Sequence, residues 1–347
     1  MNTPEEFLRI IAALQQPPSA ARRAALLTLV GTQGPSFRRA GARMLVFENG
    51  RVVCPLSGGC PQEDMLRAAF EVIQTEQAQS LRYDAQQGMD LLLEQGCGGS
   101  LELCIEPLDT QHLSPALLQA AACVRQRQQG WLATRIGAHS EHSPRWLSSA
   151  DALPDSQRSA FAAGVGPKPQ RMRWQAEEWL LEPFQPPHAV VIVGDGPGVL
   201  SLLQIAELQG WQSWVLTDWH RRAPPAGLPS STRLVQAQPG CLPADLPLDA
   251  QTSVLLMTHA VEKDLAWLRH FAAYPLNYLG VIGARHRGDY LRQASGLGAL
   301  QLRTPAGLDI GGESPEALAL SVMAEIQACR SGREGSPLSQ GLGSIHP

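Results

Sequence analysis

The stretch His188-Ala-Val-Val-Ile-Val-Gly-Asp-Gly-Pro-Gly-Val199 decides the fold. A run of apolar, mostly β-branched residues, Ala189–Val193, leads straight into Gly194, Gly196 and Gly198. Val199-Leu-Ser-Leu-Leu-Gln-Ile-Ala-Glu-Leu208 follows, with Leu202, Leu203, Ala206 and Leu208 near one helical face. Strand, glycine turn and helix, in that order, predict the first βα unit of a doubly wound parallel sheet. Glycine suits the turn because a β-carbon would hold the backbone away from a phosphate. The helix start beyond it offers free N–H donors and the positive end of a dipole. The dinucleotide pattern G-x-G-x-x-G would put a third glycine at 199. This chain has Val199 there, which predicts a looser or altered loop.

Downstream, short apolar runs predict strands at 213–217, 233–236, 253–258 and 278–282. Asp218 ends the first of these, where an acid would hold a ribose hydroxyl. Its neighbours His220, Arg221 and Arg222 would instead favour a phosphate. His259 ends a later strand and so points into the expected ligand crevice. Gly283-Ala-Arg-His-Arg287 reads as an anion site at a helix start, with Arg285 as a candidate phosphate ligand. Ser314 is a predicted N-cap for the last long helix, and 331–347 reads as a disordered tail.

Upstream, residues 4–16 predict a helix, 24–31 a strand and 32–41 a loop. Runs 42–47 and 51–56, joined at Asn49-Gly50, predict a β-hairpin. The hairpin delivers the chain to Ser57-Gly-Gly-Cys60-Pro61. Pro61 suits a first helical position, which places Cys60 at or beside the N-cap, where free N–H groups stabilise a thiolate. Glu63 and Asp64 partly oppose that effect. Further on, residues 86–95 predict a helix. Gly96-Cys97-Gly98-Gly99 leaves the Cys97 side chain unshielded by its neighbours, which favours a functional thiol. In Ser100–Glu106, Leu101, Leu103 and Ile105 alternate with Glu102, Cys104 and Glu106, predicting a half-buried strand with the second set outward. A helix at 115–129 and strands at 131–136, 145–147, 171–174 and 178–181 follow, around a less ordered segment at 139–168. His139 and His142 read as surface residues.

Pro183-Phe-Gln-Pro-Pro187 is a stiff linker. The fold class is therefore α/β. An N-terminal α/β domain with a β-hairpin (1–184) precedes a C-terminal Rossmann-like doubly wound parallel sheet (185–330) and the tail. A length of 347 residues suits two domains, and 44% hydrophobic residues suffice for their cores. The net charge of −4 implies no nucleic-acid or membrane-surface partner. No export signal or membrane-length apolar run is read, so the expected location is cytoplasmic. Seven cysteines, an odd number with no C-x-x-C, argue against a disulfide framework and against structural zinc.

The chain resembles the XdhC/CoxI family of accessory proteins for xanthine dehydrogenase and related molybdenum hydroxylases. The resemblance rests on Gly34-Pro-Ser-Phe-Arg38, Gly41-Ala-Arg-Met44, Ser57-Gly-Gly-Cys60, Gly96-Cys-Gly-Gly99 and Glu106-Pro107 in the first half. In the second half it rests on Gly194-x-Gly196, Asp218, Met257-Thr-His259, Gly280-Val-Ile-Gly-Ala-Arg285, Pro305-Ala-Gly-Leu-Asp-Ile-Gly311 and Ser314–Ser321. It implies a chaperone that binds molybdenum cofactor in its molybdopterin form, supports its sulfuration and hands it to an apo molybdenum hydroxylase. Expected partners are that hydroxylase, a cysteine desulfurase acting as cofactor sulfurase, and a second copy in a homodimer. Arg38 would help hold the anionic cofactor. Cys60 and Cys97 are candidate molybdenum ligands, since the metal is thiophilic. The alternative is an NAD(P)-dependent oxidoreductase using the Rossmann-like domain. Val199, and Ala260 where relatives often have Asp, depart from the family pattern and bear on nucleotide binding.

Overall fold

The computed structural model describes residues 2–18, 21–34, 36, 38–58, 60–83, 100–137, 144–148, 153, 158, 168–174, 176–217 and 227–340. The chain divides into two compact units, Met1–Pro186 and Pro187–Pro347. The expected helix at 86–95 and most of segment 139–168 lie outside the described residues.

The first unit opens with helix α1 (Pro4–Gln15), fixed by a capping box. The Glu6 N–H donates to Thr3 Oγ1 at 3.2 Å, and the Thr3 N–H donates to Glu6 Oε2 at 3.1 Å. Strands β1 (Arg23–Gln33), β2 (Arg43–Phe47), β3 (Val52–Val53), β4 (Gln79–Tyr83) and β5 (Ser100–Asp109) form an antiparallel sheet in the order β3-β2-β1-β5-β4. The β2–β3 hairpin turns at Glu48-Asn49-Gly50. Gly50, at φ +87°, takes the left-handed position, and its N–H donates to the Phe47 carbonyl at 2.9 Å.

Helix α2 (Cys60–Thr75) lays Met65, Ala69, Val72 and Ile73 on one face of this sheet, against Leu27, Met44, Val46 and Ile105. The other face is covered as well. Ala24, Leu26, Leu45 and Phe47 pack with Phe7, Ile11 and Leu14 of α1 and with Leu117 and Ala121 of α3 (Pro115–Arg125). A second antiparallel sheet adds Leu132 and Phe184 to the same cluster. Its strands are β6 (Gly130–Arg135), β7 (Arg145–Leu147), β8 (Gln170–Trp174) and β9 (Glu177–Phe184), in the order β7-β6-β9-β8. This double cover corrects the half-buried reading of β5: Cys104 and Glu106 are both buried, because the face on which they alternate meets a further layer.

The second unit holds a five-stranded sheet, parallel throughout, of β10 (Ala189–Val193), β11 (Gln212–Thr217), β12 (Thr232–Gln236), β13 (Thr252–Leu256) and β14 (Tyr278–Val281). Its order, β12-β11-β10-β13-β14, is that of a doubly wound nucleotide-binding fold. Residues 303–306 run beside β14, with Arg303 N–H to Leu279 O and Val281 N–H to Arg303 O both at 2.9 Å. Helices α4 (Val199–Gln209) and α7 (Pro315–Arg330) pack on Val190, Ile192 and Leu255. Helices α5 (Val261–Phe271) and α6 (Arg285–Ser295) pack in the cluster of Val191, Val193 and Leu256. One expectation fails here. Leu208 is 82% exposed, because it sits well round the helix from Leu202, Leu203 and Ala206.

Candidate functional site

The chain leaves β10 for β11 on one side and reaches β13 on the other, so β10 and β13 flank the switch point of the parallel sheet. Ligands of such sheets bind at the carboxyl ends of the strands there. The loops after these two strands touch. A β-carbon on Gly194 would stand 2.7 Å from the Met257 carbonyl oxygen, and Gly194 has φ +118°. Both space and backbone therefore require glycine. Gly196 and Gly198 differ: a β-carbon there would first meet the Met257 methyl at 3.4 Å and the Leu318 side chain at 3.5 Å, and neither needs the left-handed region. Val199, at the place of the missing third glycine, is the first residue of α4. It is 2% exposed and belongs to the cluster of Leu202, Met257, Ala319 and Val322.

Among the described residues, three helices start at this end of the sheet with no side-chain cap: α4 after Gly198, α5 after Ala260 and α6 after Ala284. Helix α7, in contrast, is capped by Ser314, whose Oγ accepts from the Ala317 N–H at 3.1 Å. Uncapped first turns present N–H donors and positive dipole ends, which suits an anion such as a phosphate.

A buried acid ties these loops together. Asp264 is fully buried in the first turn of α5. Thr258 Oγ1 donates to Asp264 Oδ1 at 2.5 Å. Arg287 donates to Asp264 Oδ2 at 2.5 Å and to the Thr258 carbonyl at 2.6 Å. Of the two arginines at the start of α6, Arg287 is thus engaged within the protein, while Arg285 is exposed, as is His259. Sequence reasoning missed Asp264, since an acid in a helix's first turn looks like an ordinary dipole complement.

Gly194, Gly196, Gly198, His259 and Arg285 all belong to loops or helix starts at this one end. Asp218, Cys97, Gly98 and Gly99 lie outside the described residues. In the first unit, Cys60 is the first residue of α2. Arg38 is held by Glu6 through Nη2–Oε1 at 2.6 Å and Nη1–Oε2 at 3.3 Å. Burial alone would push the Glu6 carboxyl up, but the bonds from Arg38 and the Thr3 N–H hold it below its ordinary range. Among the described residues, no group of three or more His, Cys, Asp or Glu side chains could hold a metal ion. No helix among them is long and apolar enough to cross a membrane.

A family model described as the XdhC Rossmann domain matches residues 190–326, and one described as the XdhC and CoxI family matches residues 19–84. The chain belongs to the XdhC/CoxI family. A relative from Bacillus subtilis (strain 168), named as a probable subunit of xanthine dehydrogenase, is 25% identical over 313 residues, covering 87% of this chain and 92% of that one. PaoD of Escherichia coli (strain K12), named a molybdenum cofactor insertion chaperone, is 24% identical over 318 residues, covering 90% of this chain and 85% of its own. A crystal structure from Bacillus halodurans, described as that of a xanthine dehydrogenase, has a TM-score of 0.75 at 23% identity, covering 97% of this chain and 98% of that one. That likeness is one of fold. The XdhC/CoxI architecture thus accounts for the Rossmann-like sheet and for the antiparallel sheets and helices before it.

Proposed function

We propose that this chain is a maturation chaperone that carries molybdenum cofactor as cargo and passes it to an apo molybdenum hydroxylase of the xanthine dehydrogenase type. The observation that carries the reading is the similarity to PaoD, a named insertion chaperone, along 90% of the chain. The geometry supports it. The cofactor is anionic, and three uncapped helix starts beside Gly194, Gly196 and Gly198 offer donors to its phosphate. Exposed Arg285 adds a cation at the same end. Cys60, the first residue of α2, is the first candidate thiol for a thiophilic metal. Cys97, between glycines, is the second candidate thiol. Arg38 contributes only where the cargo competes with Glu6 for its guanidinium. Support of sulfuration by a cysteine desulfurase, a homodimeric state and a cytoplasmic location complete the proposal.

The strand order favours one further reading, an NAD(P)-dependent oxidoreductase. His259 would then be the acid–base candidate at this end of the sheet, and Asp218 would hold a ribose hydroxyl. One experiment separates the two. The protein is purified from cells that make molybdenum cofactor, denatured and oxidised, and the released fluorescent pterin is counted per chain. Stoichiometric release that falls in Cys60→Ser or Cys97→Ser supports the chaperone. Absence of pterin, together with saturable NADH or NADPH binding, sinks it.

A further inference from the structure

Among the described residues, α4 starts with no side-chain cap and with no acid in its own first turn. Its first N–H, that of Val199, already donates to the Gly196 carbonyl at 3.0 Å. Leu200 and Ser201 therefore carry the N–H groups that this helix start offers an anion. An acid from another part of the chain stands at the same turn.

That acid is Glu316, in the first turn of α7. The two helix starts are in contact. A β-carbon on Gly198, the N-cap of α4, would stand 3.5 Å from the Leu318 side chain and 3.9 Å from the Pro315 carbonyl oxygen. Glu316 lies between those two residues in the chain. Its own N–H donates to its carboxylate, as do the Ser314 hydroxyl and, across from α4, the Ser201 hydroxyl. These bonds hold the carboxyl below its ordinary range, so it is ionised at neutral pH. Ser201 is only 8% exposed, which fixes its hydroxyl against α7.

A negative charge in the first turn complements a helix dipole, so Glu316 does for α4 what a ligand's phosphate would do. It also repels a second anion brought to the same N–H groups. A loop built only to hold phosphate gains nothing from such an acid. A carrier that must give up its cargo does, because the helix start is answered again as the phosphate leaves. We propose that Glu316 is an internal competitor at the glycine loop, whose carboxylate opposes a ligand's phosphate at the start of α4 and sets how easily that ligand is released. The proposal rests on the reading of this crevice as the phosphate site of a cargo that is handed on.

Inorganic pyrophosphate is the probe, titrated calorimetrically into the full chain. Glu316→Gln is expected to bind it about tenfold more tightly than the native chain at low salt, and the gain should shrink to about twofold in about 0.5 M salt. Both residues are exposed or uncharged after the change, so the thermal midpoint of unfolding should stay within a few degrees. Glu313→Gln, at an exposed acid outside α7, removes the same charge and should change affinity by less than about twofold. Adding Gly196→Ala to Glu316→Gln should remove the gain, since the probe then loses the loop. Equal affinity in the native chain and Glu316→Gln, including no binding by either, overturns the proposal. So does an equal gain in Glu313→Gln, or a gain that survives Gly196→Ala. Pterin content of the same proteins separates the two readings: pterin missing from every one sinks the cargo reading, whereas the pyrophosphate comparison tests Glu316 by itself.

Discussion

Arg43 and Glu182 form an ion pair with almost no access to solvent, their side chains 2% and 0% exposed. Arg43 Nη1 donates to Glu182 Oε1 at 2.8 Å and Nη2 donates to Oε2, a two-pronged contact from β2 to β9. Nη2 also donates to the Thr134 hydroxyl at 3.0 Å and Nη1 to the Gly41 carbonyl at 3.1 Å. The pair fixes how the two sheets of the first unit meet. Removing one partner strands a buried charge, so Glu182→Ala is expected to cost about 3–5 kcal/mol, whereas Arg43→Met with Glu182→Leu should cost far less. Urea unfolding of the three proteins checks this. If the single substitution is no worse than the double, the pair does not have this structural role.

Glu106 lies near the same charges and behaves differently. It is 7% exposed, its Oε1 has no hydrogen-bond partner, and burial pushes its carboxyl from an ordinary 4.5 up to about 7, with Arg43 opposing. A raised carboxyl pKa means that the folded state holds the proton more tightly. Stability from this group is therefore complete below about pH 4.5 and is lost as pH rises through about 7. Glu106→Gln removes the titration. The mutant's stability relative to the native protein is expected to rise by about 3 kcal/mol between pH 4.5 and 8. Taking the difference between the two proteins cancels Glu6, which is shifted the other way. A difference that stays flat with pH would mean that Glu106 is solvated.

The second unit was more legible in the sequence than the first, and the reason is geometric. A parallel strand followed by a glycine turn and a helix is a local arrangement, so Ala189–Leu208 carries its own fold. The first unit is built on contacts between distant segments. The alternation of Leu103 and Ile105 with Cys104 and Glu106 correctly indicates a strand, yet it cannot reveal that residues of β6 and β9 cover the polar-looking face. Arg43 lies in a predicted hairpin strand, and its partner Glu182 stands 139 residues away. At the crevice, the need for glycine at 194 and the helix start at Arg285 are readable because both follow from local backbone. The clamp of Asp264 on Arg287 joins two helix starts, and neither residue announces the other.

The three glycines of the loop should separate fold from ligand. Gly194→Ala introduces a β-carbon at φ +118° and 2.7 Å from a carbonyl oxygen that cannot move freely. It is expected to destabilise the protein by about 2–4 kcal/mol and to weaken every activity of the second unit through the fold. Gly196→Ala meets only the mobile Met257 methyl at 3.4 Å. That variant should keep the native thermal midpoint within a few degrees while losing cofactor or nucleotide retention, because the new β-carbon holds the backbone away from a phosphate. Retention by Gly196→Ala equal to the native protein would remove this loop from the binding site.

The two arginines at the start of α6 predict opposite phenotypes. Arg287→Ala leaves the fully buried Asp264 without its cation and frees the Thr258 carbonyl, so a loss of about 3–5 kcal/mol in unfolding free energy is expected. Arg285 is exposed. Arg285→Ala should change stability by no more than about 0.5 kcal/mol, as surface substitutions do. It should nonetheless weaken binding of an anion at the crevice, and the loss should shrink as salt screens the exposed charge. Titrating cargo retention against ionic strength in the native protein and in Arg285→Ala tests the point. If the two curves run parallel at all salt concentrations, Arg285 makes no charge contribution, and the helix N–H groups beside Gly198, Ala260 and Ala284 must hold the anion alone.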